Sequence, residues 1–365
     1  MQKDINPERF IRPHLLDTKP YKYVSPLEVL SEGAGIPAAE IIKLDGNENP
    51  YGCSPRVKEA LSTYPYYHIY PDSEQRELRK ALAQYVGVPA SRLVVGSGSD
   101  ELIDLILRLF IEPGDRAINS VPTFGMYSFH TQTCGGKVVD VPRDEDFAVD
   151  LSGVKKAIVA EGAKLVFITS PNNPSGNTTP EQDIVHLLET GVIVLLDEAY
   201  YEFSGETMLP LADSYDNLII LRTFSKWAGL AGLRVGYGIF PQKIARHLTR
   251  IKPPYNVNIA AQIAALESLK DLEYLQRAVQ AIIAERQRLF TRLSEVEGLK
   301  PYPSKANFIL CYVSGHRAVE IHQELKRKGI SVRHFDTARL RDYLRFSVGK
   351  PEHTDALIAA LKKIC

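Results

Sequence analysis

Between residues 92 and 240 the chain alternates short, wholly apolar runs with longer stretches in which apolar residues recur every three or four positions. RLVVGSG is followed by DELIDLILRLF, RAINSV by the segment from Phe124, and KLVFITS by PEQDIVHLLET; VIVLLDEAY, LIILRTFS and VGYGIF come after them. Runs that are apolar throughout predict strands buried on both faces, and their alternation with helical periods predicts a mainly parallel sheet covered by helices. After KPPYNVN the pattern changes to one long helical stretch, IAAQIAALESLKDLEYLQRAVQAIIAERQRLFTRLSEV. ANFILCYV, a helix through HRAVEIHQELKRKG, the strands ISVRHF and YLRFSVG and a final helix through DALIAALKKI complete the chain. The expected organisation is therefore α/β: a large domain over 41–255, a smaller α+β domain over 256–365, and a proline-punctuated N-terminal arm over 1–40 that lies on something else.

Composition narrows the function classes. The 365 residues carry 44 Lys and Arg against 44 Asp and Glu, so no field of one sign argues for nucleic acid or an anionic membrane surface. The four cysteines are scattered without a CxxC pair, which fits a reducing compartment and argues against zinc, and the nine histidines show no HExxH spacing that would bind a metal. The N-terminus lacks a charged segment followed by an apolar one, and no apolar run approaches the roughly 18 residues that span a bilayer. A soluble, cytoplasmic protein is expected.

In an open α/β sheet, ligands sit beyond the carboxyl ends of the strands, which directs attention to four places. VVGSGSDE carries a strand through Gly96 and Gly98 into a helix beginning near Ser99 and Asp100, where free N–H groups can meet an anion; without the third glycine of GxGxxG it reads equally well as a capped helix. ITSPNNPSGN ends a strand in a turn bearing Asn172 and Asn173, residues that turns use without any further function. VIVLLDEAYYEF delivers Asp197 from a buried strand and Tyr200 three residues on, and a buried carboxylate is costly unless something positive pairs with it. TFSKWAGLAGLRVGYG supplies Thr223, Ser225, Lys226 and Arg234 after the strand LIILR. Together these ends offer an anion cradle, a neutral amide, a carboxylate and a lysine at one sheet edge. That set is what pyridoxal phosphate requires: a lysine for its Schiff base, an acid for its pyridine nitrogen and a site for its phosphate.

The order and spacing of these motifs resemble the fold type I pyridoxal-phosphate-dependent aminotransferases. The resemblance runs from DGNENP at 45–50 through GSGSDE, PTFGMY, SPNNPSG, DEAY and TFSK to LRFSVG, nearly the whole chain. It implies that Lys226 is the Schiff-base lysine, that Asp197 partners the pyridinium nitrogen, that Asn173 and Tyr200 face the phenolic oxygen, and that Phe124 stacks on the ring. It further implies that Ser225, Arg234 and the N–H groups of Ser99 and Asp100, with Thr223, hold the phosphate, and that Tyr70 reaches it from a second subunit.

Within the family, DGNENPYG, PYNVN and GISVRHF followed by LRFSVG are most similar to the branch that moves an amino group between L-histidinol phosphate and 2-oxoglutarate, a step of histidine biosynthesis that yields L-glutamate. This similarity implies a homodimer with shared active sites and no nucleic-acid or membrane partner. One substrate bears a phosphate and the other carboxylates, and a guanidinium fork accepts either anion. Arg345 is the main candidate, with Arg333, Tyr21 and Asn47 beside it and Tyr255 lent by the neighbouring subunit. The segment HFDTARLRDYL departs from the family pattern by adding Arg339 and Arg341, which are expected to be solvated. A decarboxylase of L-threonine O-3-phosphate, a broad aromatic aminotransferase and a ligand-sensing regulator on the same fold remain open at this level.

Overall fold

A computed structural model of the chain describes residues 6–16, 18, 20, 21 and 23–365. Its strands are, in chain order, β1 (Ile42–Leu44), β2 (Leu93–Gly96), β3 (Arg116–Val121), β4 (Lys137–Pro142), β5 (Leu165–Thr169), β6 (Ile193–Asp197), β7 (Leu218–Thr223), β8 (Gly236–Ile239), β9 (Leu299–Pro301), β10 (Phe308–Val313), β11 (Ile330–His334) and β12 (Tyr343–Ser347). A seven-stranded sheet has the order β2-β8-β7-β6-β5-β3-β4. From β7 to β4 every pairing is parallel, while β8 runs antiparallel to both of its neighbours. Residues of β2, β5 and β7 are buried throughout, as expected for strands with helices on both faces.

The second sheet has five strands in the order β1-β11-β12-β10-β9. Only β1 and β11 pair in parallel; the remaining neighbours are antiparallel. Three strands were not legible as patterns. β4 is an edge strand with mixed exposure, and β1 and β9 are three residues each, too short to show a period. Ile42–Leu44, at the start of the expected large domain, pairs with Ile330–Val332 in the five-stranded sheet. The peptide after β1 consequently runs from one sheet to the other, and it forms part of the pocket.

Two features position the site. The helix Pro13–Leu16 packs against the helix Met126–Thr133, where His14 Nε2 lies 3.3 Å from the Thr133 carbonyl. The arm then reaches the opposite end of that helix, where the Tyr21 ring stands 3.1 Å from the position a Cβ on Gly125 would take. Separately, Phe147 of the large unit packs with Leu310 and Leu340 of the small one in a compact apolar cluster flanked by Tyr302, Phe335 and Tyr343. Among the described residues no helix is long and apolar enough to cross a membrane.

Candidate active site

A cavity of about 780 Å³ lies beyond the carboxyl ends of β5, β6 and β7, closed on its far side by residues of β11, β12 and the segment between them. Lys226 enters it three residues after β7 ends, and its Nζ donates to the Gly46 carbonyl at 2.9 Å. Burial pulls its pKa down to about 8; the carboxylate of Glu48 opposes that shift and the guanidinium of Arg345 adds to it. A lysine so placed is free base in about one molecule in ten at pH 7, against almost none for a solvated one.

Asp197 closes β6 and is 3% exposed. Its Oδ2 accepts the Tyr127 hydroxyl at 2.6 Å and its Oδ1 accepts the Ala199 N–H at 3.0 Å. Burial nevertheless pushes its pKa up to about 6. A buried acid held by two donors, with no cation beside it among the described residues, is poised to receive one.

Tyr200, three residues further on, accepts from Asn47 Nδ2 at 3.0 Å, and burial pushes its hydroxyl up to about 12. Asn47, expected to touch substrate, lines the cavity and is held from two sides. Its backbone N–H donates to Ser347 Oγ at 2.9 Å and its Oδ1 accepts from the same hydroxyl at 2.8 Å, so its side chain fixes Tyr200 and joins the two sheets.

The anion-receiving side is built from arginines on adjacent strands. Arg333 on β11 lies directly opposite Arg345 on β12, and both line the cavity. Arg345 is 6% exposed; Nη1 donates to Asn173 Oδ1 and Nη2 to the Asp45 carbonyl, both at 2.6 Å, while its buried Nε has no partner. Its guanidinium carbon is 5.2 Å from the Phe308 ring centroid, a stacking contact that holds the fork's plane. Tyr21 stands edge-on to Phe124 with centroids 6.4 Å apart, and Phe124 stands edge-on to Tyr127 at 5.6 Å. Burial raises the Tyr21 pKa, opposed by Arg333 and Arg345.

The other end of the cavity is lined by residues that follow β2 and precede β8. Gly98 has φ +81, and the helix Ser99–Phe110 starts directly after it with its first N–H groups free of helical partners. A Cβ on Gly98 would lie 2.6 Å from Arg234 Nη2, so only glycine lets that guanidinium close over the helix start. Arg234 also meets Asp100 Oδ2 at 3.1 Å, and Thr223 Oγ1 accepts the Ser225 N–H at 3.1 Å. Ser99, Asp100, Thr223, Ser225 and Arg234 all line this end.

The structure thus gathers Lys226, Asp197, Tyr200, Asn173, Phe124, Ser99, Asp100, Thr223, Ser225, Arg234, Tyr21, Asn47, Arg333 and Arg345 around one cavity. Two expected residues are elsewhere: Tyr70 and Tyr255 do not line it, but stack on each other at 4.6 Å, 79% and 43% exposed. Arg341 is solvated as expected. Arg339 is exposed as expected, and its fork also donates to the carbonyls of Arg143 and Asp144 in the large unit.

Sequence reading missed Tyr127 and Glu101. The first, in PTFGMY, looks like a core aromatic on a helix; the second accepts both the Ser97 N–H and Asn256 Nδ2 at 2.6 Å, tying PYNVN to the anion end. Only the recurrence of Tyr127 three residues after Phe124, one helical turn on, hinted at a shared face.

The fold and the lysine, acid and anion sites define an aminotransferase, and the chain belongs to the class I and II aminotransferase family, whose model matches residues 39–361. A histidinol-phosphate aminotransferase of Dehalococcoides mccartyi is 50% identical over 98% of both chains, and the chloroplastic histidinol-phosphate aminotransferase of Nicotiana tabacum is 48% identical over 97% of this chain and 86% of its own length. The crystal structure of histidinol-phosphate aminotransferase from Sinorhizobium meliloti, in complex with pyridoxal-5'-phosphate, superposes with a TM-score of 0.89 at 30% identity, covering 97% of each chain.

Proposed function

We propose that this chain is a histidinol-phosphate aminotransferase, exchanging an amino group between L-histidinol phosphate and 2-oxoglutarate with pyridoxal phosphate as cofactor. The observation that carries the reading is the convergence of Lys226, Asp197 and Arg345 on one cavity, with Arg333 opposite Arg345.

The donor set fits the cofactor. The start of the helix at Ser99, the Ser225 hydroxyl and Arg234 would hold its phosphate, with Thr223 supporting Ser225. Asp197 would hold the proton of the ring nitrogen, Tyr200 and Asn173 would face the phenolic oxygen, and Phe124 would cover one face of the ring. When bound, the group supplies an aldehyde that takes up the substrate's nitrogen and a ring that withdraws electrons from the reacting carbon.

The chain's own residues do the rest. Lys226, whose amine is pulled down to about 8, accepts the proton lost from the substrate carbon and returns it one position along. Asp197 would stay ionised against the protonated ring nitrogen of the bound cofactor, and its charge would stabilise the transition state more than the ground state. Arg345 exchanges its bond to Asn173 for the phosphate of one substrate or a carboxylate of the other. Tyr21 and Phe124 cover the reacting atoms and exclude water.

The stacked, exposed pair Tyr70 and Tyr255 supports a homodimer in which each subunit completes its partner's site, since neither tyrosine serves its own cavity. Four unpaired cysteines support a reducing, cytoplasmic location.

The test is an absorption spectrum of the purified protein with pyridoxal phosphate before and after L-histidinol phosphate, then after 2-oxoglutarate. A shift reversed by the keto acid is expected. Carbon dioxide release from L-threonine O-3-phosphate without such a shift would replace the reading with a decarboxylase, and a tighter competition by phenylalanine would replace it with an aromatic aminotransferase.

A further inference from the structure

The connection between β11 and β12 forms one wall of the cavity through Phe335, Thr337, Arg339 and Leu340. Among the described residues, two arginines of this region reach the large unit. Just beyond the connection, within β12, Arg345 holds Asn173 Oδ1. Within the connection itself, Arg339 places Nη1 on the Arg143 carbonyl and Nη2 on the Asp144 carbonyl.

The receiving backbone is itself fixed. Arg143, 2% exposed, donates Nε to the Ser120 carbonyl at 3.1 Å and Nη1 to the Phe147 carbonyl at 3.0 Å. Asn177 Nδ2 donates to that same Phe147 carbonyl at 2.9 Å, and Asn172 N–H donates to the Asn177 carbonyl at 2.8 Å, which leads back to the turn carrying Asn173. The Arg339 guanidinium lies 5.1 Å from the Phe147 ring centroid, and the adjacent Leu340, 3% exposed, packs on Phe147 from the small unit. The two arginines therefore grip opposite ends of one rigid stretch of the large unit.

These two grips differ in what they must do. Where an anion takes the place of Asn173 on the Arg345 fork, one polar contact between this region and the large unit is lost as a substrate arrives. Arg339 holds backbone carbonyls, which no substrate competes for in the same place. We propose that Arg339 is a positioning residue: its fork keeps the β11–β12 connection seated on the large unit, so that Arg333 and Arg345 stay aimed into the cavity while Arg345 changes partners. The proposal rests on the reading of Arg345 as the anion receptor. It assigns Arg339 no contact with substrate.

The experiment compares wild type with Arg339→Ala, Arg339→Lys and Arg341→Ala, all loaded with pyridoxal phosphate. Amide hydrogen exchange is followed at residues 335–345 and 143–148, and kcat and KM are measured for L-histidinol phosphate and for 2-oxoglutarate. In Arg339→Ala, exchange in both segments rises about tenfold, as expected for losing charge-assisted bonds, while residues 99–110 keep their protection. KM rises for both substrates by a similar factor, about fivefold to twentyfold, with kcat within about twofold, because the pin affects how the receptor is presented rather than the proton transfer. Lysine recovers less than half of the loss, since an ammonium cannot fork to two carbonyls. Arg341→Ala behaves as wild type.

Unchanged exchange in Arg339→Ala overturns the proposal. A KM change confined to one substrate also overturns it, by making Arg339 a direct contact. So does a general rise in exchange that includes 99–110, which would make the residue merely structural. If exchange changes locally but neither substrate reacts even with wild type, the pin stands and the proposed reaction falls.

Discussion

Tyr127 donates a hydroxyl hydrogen bond to Asp197 Oδ2 at 2.6 Å inside a buried pair, with Thr169 Oγ1 2.7 Å from the same phenolic oxygen. The acid that faces the cofactor ring is thus oriented from behind by a residue of the helix at Met126–Thr133. Tyr127→Phe removes that donor while keeping the ring. It should push the Asp197 pKa further above about 6 in the cofactor-free protein and lower kcat by about tenfold, the worth of one hydrogen bond to a charged group. Asp197→Asn should lose far more of kcat while still binding the cofactor. Equal kcat in Tyr127→Phe and wild type would remove the tyrosine from the mechanism.

Lys226 gives the second prediction. Its folded pKa lies below the ordinary 10.5, at about 8, so the reactive free base accumulates as pH rises through 8 rather than through 10. The rate at which cofactor-free protein captures pyridoxal phosphate should climb with a midpoint near pH 8 and level about one pH unit above it. Stopped-flow absorbance gives the profile, and a midpoint near 10 would show that burial does not lower this amine. Lys226→Ala should bind the phosphate end but leave nothing attached to the chain after borohydride treatment.

The shared anion site gives the third. Arg345→Ala should weaken both half-reactions by about 1.5 to 3 kcal/mol each, measured as single-turnover kcat/KM with each substrate alone. Arg345→Lys should restore part of it. Loss of the 2-oxoglutarate half-reaction alone would move the phosphate to Arg333.

A fourth concerns Glu202, outside the cavity. Both of its carboxyl oxygens are buried, in a network where Arg222 pairs with Glu198 at 2.9 Å and lies 3.8 Å over the Tyr201 ring. Burial raises the Glu202 pKa from 4.5 to about 8, against the pull of Arg222. The folded chain therefore keeps a proton that the unfolded chain releases, and this stabilisation is complete below about 4.5 and lost as pH rises toward 8. The slope is at most about 1.4 kcal/mol per pH unit. Urea unfolding between pH 5 and 8 should show Glu202→Gln with a flatter dependence than wild type; parallel curves would mean that Glu202 is ionised in the fold.

The sheet and the principal site residues were legible because each comes from a local signal: an apolar run, then a polar residue at its end. Lys226, Asp197, Asn173 and Ser99 all follow that rule. What was not legible depends on meetings between distant segments. Tyr127 finds Asp197 seventy positions away and Arg339 finds Arg143 across 196. An arginine in a polar connection carries no mark of whether water or a carbonyl receives it. The bonds of Asn47 were not legible either, because an amide's partners are decided by the residues folded against it, here Tyr200 and Ser347.

The parallel pairing of β1 with β11 has a consequence for biosynthesis of the chain itself. Residues 42–44 find their partner strand at 330–332, so nearly three hundred residues must emerge from the ribosome before Asp45, Gly46 and Asn47 can be seated. The large sheet has all its strands by residue 239 and can form during translation, whereas the pocket wall contributed by the N-terminal segment waits until residues 330–332 have been made. A chain stalled or cleaved before residue 330 would leave an early strand without its ladder, exposing an unpaired edge to other nascent chains.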